Sequence, residues 1–498
     1  MGVVQRQGLK QTIVTYLGIL LGGLGVLFVF PQDLETYGLL EWILNTALIL
    51  VPFVLVGTAQ LAVRFYPDFK QPDGNSGGLL GLLLTILAIS CLLFVGTSFL
   101  FYEPISNFIL ETVSTRKDYA DARFLPYILI FVVLYAFVQL LTIYTSNFHR
   151  IVVPRFLEYL IPKVAKPLLF LLFVGGFLGV TGYIFGNMAT LLLVILGLVL
   201  YLHQLDQWRL KFSIQNISSS MRRSMASYAA YGTLGGTGHI IANRIDIVMV
   251  GALTDFKLAG VYTIVTYLAE VIDAPRKALQ GITAPLTNAA WQRSDTEEVH
   301  SLYKKSSLNL LVVGIALFGA INISVAYLFP LMKNGEVVMQ GRYVVLILGL
   351  AKLVDMATGI NNQVIGYSKF FRFNFYAVIC LALLNVVNNY LFIPNFGING
   401  AAMATLASMV LYNLLKCSFV WWKFRMQPFS KETAYAILLG LILYALVHYS
   451  VTIENPFLAI ALRSGLFLGL FVGAVYFLKI SEDIRTFIDK HLEKYGLS

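Results

Sequence analysis

Three polar stripes interrupt a chain that is otherwise built for lipid. Over residues 343–367, Lys352, Asp355, Gly359, Asn362 and Gly366 recur at steps of three or four. This spacing puts them on one face of a helix, with the lysine and the aspartate about one turn apart. Over 258–280, Thr263, Thr266, Glu270, Asp273 and Lys277 repeat the pattern, and Pro275-Arg276 is expected to break that helix near its inner end. Over 225–252, His239, Asn243 and Asp246 share a face; Arg244 is two residues from Asp246 and points elsewhere, so the two cannot line one cavity without a helix irregularity.

A charged side chain at mid-bilayer costs roughly 2.5–3.5 kcal/mol on insertion scales, so those that persist face protein or a wet cavity. Lys352 and Asp355 fit either an ion pair joining two helices or groups facing a cavity. Glu270 and Asp273, one turn apart in a low-dielectric site, would influence each other's proton affinity, which a proton- or sodium-coupled carrier could use. The plainer alternative is that Asp273 pairs with Lys277 near the headgroups. Asn385, Asn388 and Asn389 are expected to bond between helices, and the isolated cations Lys416 and Arg463, like Lys163 and Lys166, to snorkel to a surface.

The elements that carry these stripes follow from composition. The chain is 58% hydrophobic and 12% charged, with mean hydropathy +0.76, against roughly 25% charged in soluble domains. It contains about fourteen apolar stretches, each near the ~20 residues of a membrane-crossing helix. Their expected bounds are 8–30, 38–63, 78–101, 124–145, 158–181, 187–206, 225–252, 258–280, 306–329, 343–367, 371–393, 399–422, 432–450 and 457–479. An all-α polytopic membrane protein results, without space for a soluble catalytic domain. Arg6 and Lys10 before the first stretch imitate a signal peptide, but no small-x-small cleavage site follows, so a retained first span is expected. Cys91, Cys380 and Cys417 lie in three separate stretches and read as small buried hydrophobes.

The net charge of +10 is spread among short loops and not massed in a stripe, which argues for membrane topology over nucleic-acid binding. Arg64, Lys70, Arg150, Arg155, Arg209, Lys211, Arg222 and Arg223 fall in expected inner loops, whereas Arg116, Lys117 and Arg123 mark the largest outer one. Counted over all loops, the bias is about 22 basic residues inside to about six outside, which places both termini in the cytoplasm.

The polar segment 207–224 divides residues 1–206 from 225–424, with an added helix pair at 425–480 and a cytoplasmic tail at 481–498. Weak internal repeats support two six-helix halves. Gly18-x-x-x-Gly22 is echoed by Gly232-x-x-x-Gly236, Asp33-x-x-x-x-Gly38 by Asp255-x-x-x-x-Gly260, and Phe185-Gly186 with Met188-Ala189-Thr190 by Phe396-Gly397 with Met403-Ala404-Thr405. Halves with an even number of spans are parallel repeats about an axis normal to the membrane. Between spans eight and nine, Ser294-Asp295-Thr296-Glu297 has capping-box spacing and precedes Val299, Leu302 and Tyr303, which predicts a short amphipathic helix at the cytoplasmic interface.

Several chemistries lack their motifs. The chain has no G-x-x-x-x-G-K-[ST] run to cradle phosphates, no H-E-x-x-H and no Cys-rich metal spacing. ATP hydrolysis within the chain is not expected, nor is any enzyme activity. The outer segment 101–124, with Arg116, Lys117 and Arg123 beside Glu111, Asp118 and Asp121, reads as a solvated loop and not as a glycosyltransferase or polymerase site.

Residues 385–409, NVVNNYLFIPNFGINGAAMATLASM, and 243–262, NRIDIVMVGALTDFKLAGVY, resemble polysaccharide-biosynthesis flippases of the multidrug/oligosaccharidyl-lipid/polysaccharide exporter superfamily. The resemblance implies a bacterial inner-membrane protein that moves an undecaprenyl-diphosphate-linked oligosaccharide to the periplasmic leaflet by rocking two bundles about a central cavity. It casts Arg244, Arg276 and Lys352, with Asn362, as diphosphate or sugar contacts. Asp246, Glu270, Asp273 and Asp355 become candidates for coupling to Na+ or H+, with no other cofactor or metal. A monomer served by a polysaccharide polymerase and glycosyltransferases is expected. Two relatives compete: lipid II flippases, which also have fourteen spans, and multidrug exporters, which usually have twelve.

Overall fold

The computed structural model describes residues 17–18, 20–70, 78–101, 103, 124–148, 152–208, 210 and 218–494. Arg6, Lys10, Arg150, Arg209, Lys211 and the charged part of the largest outer loop lie outside these residues. Among the described residues the chain is helical throughout, without a strand. Ten helices among the described residues are long and apolar enough to cross a membrane. One of them, Arg372–Phe424, is bent at Gly397 (φ 56°, ψ −136°) into two arms. Of the other expected spans, the first shows as the short apolar helix Leu20–Gln32. The fifth shows as Ile161–Val174, continued backwards through a π turn. The seventh is 35 residues long but rich in Gly, Ser and Thr.

The chain forms two compact units, 1–260 and 261–498. The first contains α1 (Leu34–Leu55), α2 (Thr58–Arg64), α3 (Leu79–Leu100), α4 (Leu125–Ser146), α5 (Ile161–Val174), α6 (Val180–Gln204) and α7 (Ser219–Leu253). The expected span 38–63 is divided into α1 and α2, because Val56 and Gly57 both take left-handed backbone (φ 46° and 74°). A Cβ at Gly57 would lie 2.5 Å from the Ala229 backbone, so the turn requires glycine on two counts.

Residues 209 and 211–217 of the polar segment 207–224 lie outside the described residues, and within the first unit α7 is tied to α1 and α2. Trp42 Nε1 donates to the Val248 carbonyl at 3.1 Å, and Gln60 Nε2 donates to that of Gly232 at 3.3 Å.

The paired Asp-x-x-x-x-Gly motifs are two equivalent helix starts. Asp33 Oδ1 accepts from Thr36 N at 3.0 Å, and Asp255 Oδ1 accepts from Leu258 N at 2.7 Å, each satisfying a first-turn donor. One turn later the two helices cross on their glycines. A Cβ at Gly38 would sit 1.7 Å from the Phe256 carbonyl oxygen, and one at Gly260 would sit 2.2 Å from that of Leu34.

The helix α8 (Phe256–Gln292) carries the chain into the second unit. Pro275 does not break it; the helix runs on past Pro285. Proline removes a single backbone donor, a loss that a packed membrane helix accommodates. A tight turn at Ser294 (φ 57°) follows. Asp295 then caps α9 (Thr296–Leu328), accepting from Glu298 N at 2.9 Å. No separate interfacial helix forms there. Val299 and Tyr303, both fully buried, pack with Ala290, Ile360 and Val420, so the apolar face of that segment is buried in protein.

After α10 (Arg342–Ala357) the helix is interrupted and resumes as the short Asn361–Gly366. Next come α11 (372–396) and α12 (398–424), the two arms about Gly397. The pair α13 (Lys431–Ser450) and α14 (Pro456–Phe477) packs on α9 through Phe467, Phe471, Val447, Ile315 and Leu311. A final helix, α15 (Glu482–Lys494), is anchored at its root by Asn309, which donates to Asp483 at 2.7 Å and accepts from Ser481 at 2.6 Å. The cysteines are not uniformly buried, for Cys380 is exposed.

Candidate functional site

The stripe on α8 and the stripe on α10 close on each other as an alternating ladder of charge. Lys352 Nζ donates to Glu270 Oε1 at 2.8 Å, and Lys277 Nζ to Glu270 Oε2 at 2.6 Å. Lys277 also stands 3.4 Å from Asp273 Oδ2. Arg276 grips Asp273 with two bonds, Nε to Oδ1 at 2.5 Å and a terminal nitrogen to Oδ2 at 2.9 Å. The same Nε lies 3.2 Å from Asp355 Oδ2. Three cations therefore face three carboxylates.

Such a ladder lowers the cost of placing charge among apolar helices, because each desolvated ion keeps an opposite partner. Lys352 and Asp355 both join α10 to α8 by ion pairs, as one reading of the sequence expected. Asp273 is not a simple partner of Lys277, and Lys352 is bonded to Glu270 of α8 while Asp355 turns to Arg276.

Exposure is graded along the ladder. The Lys277 and Glu270 side chains are 57% and 40% exposed, whereas those of Arg276 and Asp273 are 16% and 2% exposed. Partners at the exposed end are open to solvent; those at the buried end are shielded from it. Lys352, with its side chain 12% exposed, links the two by holding the exposed carboxylate from below.

Asp355 also opens onto a second network, of amides and hydroxyls, at the interruption of α10. Asn413 Nδ2 of α12 donates to Asp355 Oδ1 at 3.2 Å, and its Oδ1 accepts from Thr358 at 2.8 Å and from Asn361 at 3.0 Å. Asn362 lies here and not on the ladder. Its Oδ1 accepts from Lys416 and from the Tyr412 hydroxyl, the latter at 3.2 Å. Lys416 does not snorkel: it is fully buried.

In the first unit, Arg244 donates to Asn45 Oδ1 at 2.6 Å. Asn45 in turn donates to Glu41, through the backbone oxygen at 2.8 Å and Oε2 at 3.2 Å. Glu41 is ion-paired with Lys166, so this lysine too stays inside the protein. Asp246 is buried on the same helix as Arg244. Sequence reasoning missed Glu41 and Asn45, although the i, i+4 pair in an apolar run was a signal. Arg463 is likewise enclosed, donating to Tyr327 at 2.5 Å and to the His448 carbonyl at 2.7 Å. Among the described residues, no cluster of three or more His, Cys, Asp or Glu could hold a metal ion.

No family model matches the chain. A stretch of 215 residues is 23% identical to "Probable flippase AglR" of Haloferax volcanii; it covers 42% of this chain, which thus spans 44% of that curated relative. Among solved structures, the inward closed conformation of the lipid II flippase MurJ superposes with TM-score 0.74 at 12% identity, covering 95% of this chain and 99% of that one. An inward-facing multidrug-resistance MATE transporter of the MOP superfamily superposes with TM-score 0.62 at 14% identity, covering 82% of this chain and 94% of that one.

Composition and apolar helices define the chain as a multi-pass membrane protein, and its fold is the one shared by the solved MurJ and MATE structures. The curated relative is named a probable flippase, and the superposed structures are a lipid II flippase and a multidrug-resistance transporter.

Proposed function

We propose that this chain flips an undecaprenyl-diphosphate-linked oligosaccharide repeat unit from the cytoplasmic to the periplasmic leaflet of a bacterial inner membrane, for polysaccharide export. It crosses the membrane fourteen times, as six, six and two helices with both ends cytoplasmic. It works as a monomer by alternating access. Glycosyltransferases supply the substrate and a polymerase consumes it.

One observation carries this reading: the half-exposed Glu270 carboxylate is held between the ammonium groups of Lys352 and Lys277. Two cations spanned by one exchangeable carboxylate form a receptor for a diphosphate, which can displace Glu270 and bond both lysines. Arg276 and Arg244 add positive charge from their own clusters. Glu270, freed by the substrate, takes up a proton or a sodium ion, with Asp273, Asp355 and Asp246 as the further coupling groups.

A second reading, a lipid II flippase, is favoured by the near-complete superposition on MurJ. Complementation separates the two. Expression in a strain that has lost its polysaccharide flippase should restore surface polymer, and expression in cells depleted of their lipid II flippase should not restore growth. The reverse pattern would establish the second reading, and rescue of neither strain would remove both.

A further inference from the structure

The interruption of α10 is built, not incidental. Gly359 takes φ +59°, and a Cβ there would lie 2.9 Å from Ser307 N. Ser307 Oγ donates to the Ala357 carbonyl at 2.5 Å, satisfying an acceptor that the break releases from the helix. Interrupted helices in membrane transporters are where backbone and side-chain oxygens gather around a small cation. Here the gathered oxygens are Asn362 Oδ1 and the Tyr412 hydroxyl, at the same interruption whose Thr358 and Asn361 are bonded by Asn413, the partner of Asp355. Nearby, Asn374 donates to the Asn362 backbone oxygen at 2.7 Å, while its own Oδ1 is buried without a donor.

What sits among these oxygens is the Lys416 ammonium. It bonds Asn362, bonds the Tyr412 hydroxyl at 3.2 Å, and lies 4.7 Å from the centre of the Tyr412 ring. Lys416 is 0% exposed, cut off from the solvent that usually hydrates an ammonium. Its direct partners are neutral oxygens and an aromatic face, the set that would receive a dehydrated monovalent cation. We propose that this is a monovalent-cation site whose ion has been replaced by a tethered one: the Lys416 ammonium occupies permanently, from α12, the oxygens that a sodium ion would occupy reversibly. The proposal concerns cation chemistry in the second unit and is independent of which lipid-linked substrate is carried.

The consequence is specific. The wild-type protein should be indifferent to sodium at this site, and deleting the ammonium should create a sodium-binding protein. The full-length chain in nanodiscs is unfolded thermally in sodium chloride and in choline chloride at equal ionic strength, as wild type, Lys416→Met, Lys416→Arg and the double variant Lys416→Met/Asn362→Leu. Lys416→Met should have a lowered midpoint in choline and regain about 3 °C or more in sodium, the shift that site-specific binding produces by linkage. Wild type, Lys416→Arg and the double variant should show no such difference. A sodium response in wild type or Lys416→Arg equal to that of Lys416→Met, its persistence in the double variant, or its absence from Lys416→Met would overturn the proposal. Should Lys416→Met not be recovered folded, Lys416→Gln takes its place: a sodium response of the same size supports the proposal, and the lack of one overturns it.

Discussion

Lys352 Nζ lies 2.8 Å from Glu270 Oε1, and this one bond joins α10 to α8 at the point where the ladder turns from buried to exposed. The two residues are 82 positions apart, yet each was singled out by helical spacing on its own stripe. Their meeting makes Glu270 a shared counter-ion. Its second oxygen serves Lys277, which Asp273 shares from 3.4 Å, so one carboxylate bonds two ammonium groups.

Replacing that carboxylate should therefore separate binding from transport. Glu270→Gln keeps shape while removing charge, leaving Lys352 without its anion and Lys277 with Asp273 alone. Affinity for a prenyl-diphosphate sugar is expected to rise about tenfold, roughly 1.4 kcal/mol, while turnover falls because release is no longer assisted. Calorimetric binding at two salt concentrations checks this. The gain should shrink at high salt, since Glu270 and Lys277 are exposed and screened. Unchanged affinity would remove Glu270 as a competitor of the substrate.

The glycine crossing carries a stability prediction. A methyl group at Gly38 would meet a backbone carbonyl oxygen at 1.7 Å, which no side-chain rearrangement relieves. Gly38→Ala should cost at least the roughly 1–3 kcal/mol of an overpacked site, read as a lowered midpoint of thermal unfolding. Gly96→Ala, where a Cβ would meet nothing within 4 Å, is the control and should unfold like wild type.

Arg463 fastens the C-terminal helix pair to α9. Its guanidinium donates to Tyr327 of α9 and to the His448 carbonyl of α13 from a position on α14 that is 4% exposed. Arg463→Ala removes these bonds and leaves partly buried acceptors unpaired, at up to about 1–3 kcal/mol for each group so stranded. Limited proteolysis at the 425–430 connection should speed up in the variant. Equal cleavage rates would show that the apolar contacts of Phe467 and Phe471 suffice.

Much of this architecture was legible in the residues. The apolar runs gave the helices, and steps of three and four gave the faces of α8 and α10, because both signals are local. The motif Asp-x-x-x-x-Gly, visible as a repeat, became two capped helix starts packed glycine to glycine. What escaped the sequence was pairing at a distance. Lys416 looked isolated because its partner Asn362 is 54 positions away, and Lys166 because Glu41 is 125 positions away. Pro275 was overread as a stop, since proline removes one backbone donor but leaves the rest of a long helix intact. The capping role fell one residue later than expected, to Asp295, because Ser294 is the left-handed turn residue itself.

The central claim is that the lysines around Glu270 receive a lipid-linked diphosphate and that the chain moves it between leaflets. The most direct measurement reconstitutes the full-length protein in liposomes carrying undecaprenyl-diphosphate-linked oligosaccharide and follows the appearance of sugar at the opposite surface with an impermeant glycosidase. Wild type should transfer sugar well above protein-free vesicles, and Lys352→Ala, reconstituted to the same level, should fall at least tenfold. Equal rates in wild type and Lys352→Ala, or a wild-type rate no faster than protein-free vesicles, would contradict the account.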